Sequence, residues 1–185
     1  MKLGMALLRI VVGGLFVGHG LQKLKGWFGG WGLDGTAAGF ENLGLRPGRV
    51  HATAGATAET AGGALLATGL ATPAAASMLT SVMTVAIDKV HKDNGLWNTN
   101  NGYEYNLVMM AAVFAIASAG PGPWSLDEKL GIRRSGSGVG LAQLAAGLLG
   151  AAAAIRLGSA DGATAEQAPA ATEEAAAEED PVAAG

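Results

Sequence analysis

Residues 3–24 form a run of hydrocarbon broken only by Arg9 until it ends in Gly18-His19-Gly20-Leu21-Gln22-Lys23-Leu24-Lys25. A bilayer core takes roughly 20 apolar residues in an α-helix. A charge in the middle of such a helix costs at least ~2.5 kcal/mol unless it is paired or wetted. Arg9 therefore demands a partner inside the membrane, and the second apolar run supplies Glu59. Lys2 ahead of the run imitates a secretory signal, but Arg9 interrupts it and Gly18-His19-Gly20 makes a poor cleavage site, so a retained anchor is expected.

Four further segments repeat the apolar pattern. A second span is predicted over residues 52–71, rich in Gly, Ala and Thr, which lets helix backbones approach closely in lipid. Pro73 suits the first turn of a third span over 74–90, so that spans two and three make a tight hairpin. The loop 92–103 carries the turn dipeptides Asn94-Gly95 and Asn101-Gly102, and a fourth span follows over 105–119. Between spans one and two, Trp27, Phe28 and Trp31 stand among glycines, as side chains of the headgroup layer do. Residues 36–43 then read as a short surface helix capped by Thr36. The run 139–155 is mostly alanine and glycine, which leaves open whether it spans or lies along the surface.

The expected fold is all-α: a polytopic membrane bundle of four core helices over residues 1–134, an additional apolar helix over 135–158, and a disordered acidic tail over 159–185. Seven of the 15 acids fall in that tail with no base, leaving eight against 12 Lys and Arg, so the body carries +4. A basic body suits a lipid surface, and no compact basic cluster points to nucleic acid. Cysteine is absent, which excludes thiol relays, disulfides and iron–sulfur clusters within the chain.

If spans alternate direction, His19, His51 and His91 gather at one membrane face with Asp88 and Glu104. We call this the histidine face. Counted inward at ~1.5 Å per residue, Arg9 lies about 15 Å from His19 and Glu59 about 12 Å from His51, which predicts an ion pair at similar depth. Span one sets Arg9, Gly13, Phe16, Gly20 and Lys23 on one face, and span three aligns Ser77, Ser81, Thr84, Asp88 and His91. Together they predict a polar funnel open at the histidine face, with Arg9 and Glu59 at its floor. The competing reading is structural: an Arg9–Glu59 folding clamp, hydroxyls bonded to local carbonyls, and interfacial histidines without ligand. A haem bridged between His19 and His91 is a weaker alternative, and no spacing suggests a metal site. Six bases near the histidine face against four opposite lean towards its being cytoplasmic.

The motifs Leu8-Arg9-Ile10, Gly18-His19-Gly20-Leu21-Gln22-Lys23-Leu24, Gly26-Trp27-Phe28-Gly29-Gly30, Glu59-x-x-Gly62-Gly63, His91, Gly102-Tyr103-Glu104-Tyr105 and Gly120-Pro121-Gly122-x-x-Ser125-Leu126-Asp127, in this order, resemble the DoxX family of small bacterial membrane proteins. The resemblance runs over about residues 7–130. It implies a multi-pass protein of the bacterial inner (plasma) membrane associated with oxidoreductases. Relatives include a subunit of an archaeal thiosulfate:quinone oxidoreductase and mycobacterial proteins linked to a membrane complex with superoxide dismutase and a sulfurtransferase.

The combined expectation is a membrane subunit of a redox or oxidative-stress system, without a redox centre of its own, that binds a quinone or a small sulfur anion. Arg9 would hold negative charge, Glu59 and Asp88 would accept protons, His19 or His91 would donate to a carbonyl, and Glu104 stands at the same face. Two alternatives stay open: a non-catalytic scaffold that recruits oxidoreductase partner proteins, and a small-solute transporter. The oligomeric state is not legible.

Overall fold

The computed structural model describes residues 2–166, and among them the chain is helical with no strand. Seven α-helices follow in order: α1 (Lys2–Lys25), α2 (Gly32–Asn42), α3 (Gly48–Thr68), α4 (Thr72–Ala86), α5 (Glu104–Ala119), the short α6 (Leu126–Lys129) and α7 (Ser137–Glu166). α1 packs chiefly on α3, α3 on α4, and α4 on both α5 and α7, while α5 returns to touch α1. The buried core joins Phe16, Leu66, Leu79, Val113 and Ile116 from four of these helices.

Small residues decide how closely the helices approach. A Cβ on Gly13 would strike the Gly63 carbonyl and Ala67, and one on Gly20 would strike Thr60 and the Ala56 carbonyl. α1 and α3 are therefore antiparallel and nearly in backbone contact, as glycine pairs permit where lipid offers no hydrophobic drive between helices. The expected face of α1 is the buried one, since Arg9, Phe16 and the two glycines all point inward. Its opposite side presents Leu3, Leu7, Ile10, Val11 and Leu15 to the surroundings, and α7 likewise exposes Leu141, Leu148 and Leu149. Small side chains inside and large aliphatic ones outside is a pattern suited to lipid. Two helical segments, Leu3–Lys25 and Ser137–Ser159, are each long and apolar enough to cross a bilayer, and α5 is apolar but shorter.

Several boundaries differ from the sequence-based expectations. The surface helix starts at Gly32, so Thr36 is not its cap. The Thr36 hydroxyl instead donates to the Gly32 carbonyl one turn back (2.7 Å). α3 runs four residues earlier than expected and ends at Gly69, whose φ of 66° is the left-handed conformation that stops a helix without strain. Pro73 does occupy the first turn of α4. α4 then widens into a π-helical turn, Ile87–His91, which takes Asp88 and His91 off the even stripe predicted from a 3.6-residue period.

α7 is a packed helix of the bundle. Gly147 lies against Thr80, Gly150 against Ser81 and Gly140 against Ser118, so α7 runs parallel to α4 and antiparallel to α5. Ser77, with its neighbour Thr80, meets Gln143 there, which makes this end of the hydroxyl stripe of α4 a helix–helix seam. Ser77 and Thr84 also donate to carbonyls four residues back. Near its far end the Gly158 carbonyl accepts from the Arg46 amide at 3.1 Å. α7 continues to Glu166, past the composition change at Ser159, and residues 167–185 of the expected acidic tail lie outside the described residues.

Candidate functional site

The glycine contacts set the register of α1 on α3, and the register separates Arg9 from Glu59. Gly13 is level with Gly63 and Ala67, and Gly20 with Ala56 and Thr60. Arg9 therefore stands level with the end of α3, and Glu59 level with His19. Ten residues of helix, about 15 Å, lie between them. The expected ion pair does not form. The depth estimate placed His19 and His51 together, whereas the same register sets His51 beyond the end of α1.

Arg9 is 2 % exposed and is held entirely by backbone. Its Nε donates to the Ala67 carbonyl (3.0 Å), and its two terminal nitrogens donate to the carbonyls of Pro121 (2.6 Å) and Trp124 (2.8 Å). The Ala67 carbonyl belongs to the last turn of α3, where the helix dipole is negative. Next to this knot, the buried Asp127 accepts from the amides of Ala71 (2.7 Å) and Thr72 (3.0 Å), satisfying the first free N–H groups of α4. Its own amide donates to Gly69 (2.8 Å). Ser125 and Glu128 have capping-box spacing, a local signal for this turn that the sequence-based expectations missed, and the Glu128 amide does donate to the Ser125 hydroxyl.

At the other end a cavity of about 420 Å³ opens between α1, α3, α4 and α5, with α2 and α7 contributing to its rim. Its walls are mostly apolar, from Phe16, Phe40, Leu43, Leu45, Val82 and Met83. The polar groups on it are His19, Lys23, His51, Glu59, Ser81, Lys89, His91, Tyr105 and Asn106. Thus the structure brings together all three histidines and Glu59, as expected, and places Arg9 elsewhere. Lys23 stands on the predicted funnel face of α1, whereas Tyr105 and Asn106 were missed as members of the site, because polar residues at a helix end read as interfacial.

Glu59 takes Lys23 as its partner, with Oε2 2.6 Å from Nζ. His19 Nδ1 lies 3.0 Å from Gln22 Oε1, and the Gln22 amide nitrogen donates to the Phe28 carbonyl. That second bond orients the Gln22 amide, so His19 carries its proton on Nδ1 and a neutral ring keeps Nε2 as an acceptor. His91 Nδ1 similarly donates to the Asn101 carbonyl at 2.7 Å. The His19 ring meets Tyr105 edge-on, with centroids 6.5 Å apart.

Asp88 and Glu104 do not line the cavity. Asp88 accepts from Lys92 at 2.8 Å, which holds that ammonium above its ordinary range, and Glu104 accepts from the Asn98 amide at 3.0 Å. Both organise the loop between α4 and α5. Among the described residues no group of three or more His, Cys, Asp or Glu side chains is placed to hold a metal ion.

No curated protein and no solved structure matches the chain. The DoxX family model matches residues 4–92, a stretch that holds Arg9, the Lys23–Glu59 pair and all three histidines. On the strength of that match, residues 4–92 form a DoxX domain.

Proposed function

We propose that this protein crosses the bacterial plasma membrane several times, with α1, α3, α4, α5 and α7 as its crossings, and that it binds a quinone headgroup in the histidine-face cavity as part of a redox or oxidative-stress system. On this reading residues 1–134 form the DoxX-like membrane domain and α7 packs on it. The observation that carries the reading is the cavity itself: a mostly apolar chamber in which a single buried ion pair, Lys23–Glu59, is joined by both donors and acceptors. Apolar walls with a few convergent polar groups are the ordinary make-up of a small-molecule site. A ligand that alternates between carbonyl and hydroxyl needs both kinds of partner, and Asn106 and Tyr105 with the imidazoles supply them.

With no thiol in the chain, electrons would pass to a partner protein or a diffusible carrier. The alternative, a non-catalytic scaffold for soluble oxidoreductases, draws on the exposed Trp27, Phe28 and Trp31 beside Asp34 and Arg49. The deciding measurement is the quinone content and absorption spectrum of protein purified in mild detergent. Near-stoichiometric quinone that is lost in Glu59→Gln and His19→Ala, at unchanged yield of folded protein, supports the site. Protein that carries no quinone and takes up none on reconstitution moves the assignment to the scaffold.

A further inference from the structure

We propose that Asn106 is the side chain that recognises the ligand of this cavity, and that the ligand is an uncharged, membrane-dissolved carbonyl compound. The proposal rests on the cavity being a ligand site and adds its chemical class and its selecting residue. Asn106 lies in the first turn of α5, outside the stretch matched to the family, and is only 4 % exposed. Its amide nitrogen has one partner, the Met83 sulfur at 3.5 Å, and among the described residues nothing donates to its amide oxygen. A thioether is a weak acceptor. Native proteins rarely bury a primary amide so poorly partnered, and such groups call for an explanation. Asn106 borders the cavity, so a carbonyl oxygen of an occupant would accept the second hydrogen of its amide nitrogen.

Charge argues for a neutral occupant. The two lysines on the cavity each face a carboxylate of the protein: Lys23 lies 2.6 Å from Glu59, and Lys89 lies 4.0 Å from Asp88. An anion at Lys23 would have to displace Glu59 or sit beside it, while Lys89 is the more weakly matched lysine, 4.0 Å from an Asp88 that also holds Lys92 at 2.8 Å. Access argues for a ligand dissolved in the bilayer. A second groove, on the outer side of α3 and reaching Met78, shares the lining residues Ala54 and Ala58 with the cavity. A tail could lie in that groove while the ring occupies the chamber.

The test uses the full chain in lipid nanodiscs and three probes: decylubiquinone, a decyl dimethoxytoluene with the same tail but no ring carbonyl, and thiosulfate. Wild type is expected to bind the quinone about tenfold more tightly than the carbonyl-free compound, the effect of one well-placed hydrogen bond. Asn106→Ala should bring that ratio close to one, and the isosteric Asn106→Asp should do the same by removing the donor. A variant that merely folds badly loses both compounds together and keeps the ratio, so the ratio separates recognition from stability. A tenfold preference that persists in both variants overturns the role of Asn106. Saturable thiosulfate binding without quinone binding overturns the ligand class. Wild-type protein that binds none of the three removes the cavity as a ligand site, and the proposal with it.

Discussion

Lys23 Nζ stands 2.6 Å from Glu59 Oε2, with the carboxylate side chain 3 % exposed and the lysine 29 %. Removing one member of a buried pair leaves an uncompensated charge at a cost of about 3–5 kcal/mol, reduced here because Lys23 reaches the surface. Lys23→Met should therefore destabilise the protein by roughly 2 kcal/mol, and the double variant Lys23→Met/Glu59→Leu should recover most of that loss. Thermal unfolding in detergent measures both. A double variant no more stable than Lys23→Met would mean that the pair is not what makes the single change costly.

Arg9 serves the fold and not the cavity. Arg9→Lys keeps the charge but cannot reach the three carbonyls of Ala67, Pro121 and Trp124 with one compact ammonium. We expect folded yield and thermal stability to fall, by roughly 2–4 kcal/mol for a broken buried network, while ligand affinity per folded molecule stays within about twofold, a change of less than ~0.5 kcal/mol. A selective loss of affinity at normal stability would return Arg9 to the binding site.

Gly13 and its neighbour Gly14 make opposite predictions. A methyl group on Gly13 would collide with the Gly63 carbonyl and Ala67, whereas one on Gly14 meets nothing within 4 Å. Overpacking typically costs about 1–3 kcal/mol, so Gly13→Ala should lower the unfolding temperature by roughly 2–10 °C for a chain of this size. Gly14→Ala should leave it unchanged. Equal effects at the two positions would contradict the α1–α3 contact.

Asp127 caps α4 from the far side of the sequence. Asp127→Ala leaves the amides of Ala71 and Thr72 without their acceptor, a loss of about 1–2 kcal/mol for a helix cap. Asp127→Asn, which retains one acceptor oxygen, should lose less. Thermal unfolding ranks the three proteins, and an Ala variant as stable as wild type would show that water or another group takes over the cap.

Much of this arrangement was readable residue by residue. Arg9 inside an apolar run announced buried charge, Pro73 marked a helical hairpin, and the spacing of Gly13, Phe16 and Gly20 identified the packed face of α1. These are local properties: the helical period, the cost of a charge in lipid and the backbone freedom of glycine and proline act within one segment. The gathering of His19, His51, His91 and Glu59 about one cavity also followed from alternating helix directions.

Which charge meets which was decided only by tertiary packing. Pairing across α1 and α3 depends on axial register, and register is set where Gly13 and Gly20 let α3 approach, contacts that no spacing within either helix encodes. A shift of about ten residues, roughly 15 Å along the axis, separates an Arg9–Glu59 pair from the observed Lys23–Glu59 pair. The same holds for Asp127, which is 55 residues from the Thr72 amide it caps, and for Asn106, whose unmet amide appears only once Met83 and the cavity are placed beside it. Local sequence specified which segments are helical and which faces bury, and the close approach of glycine-bearing backbones specified which polar groups meet.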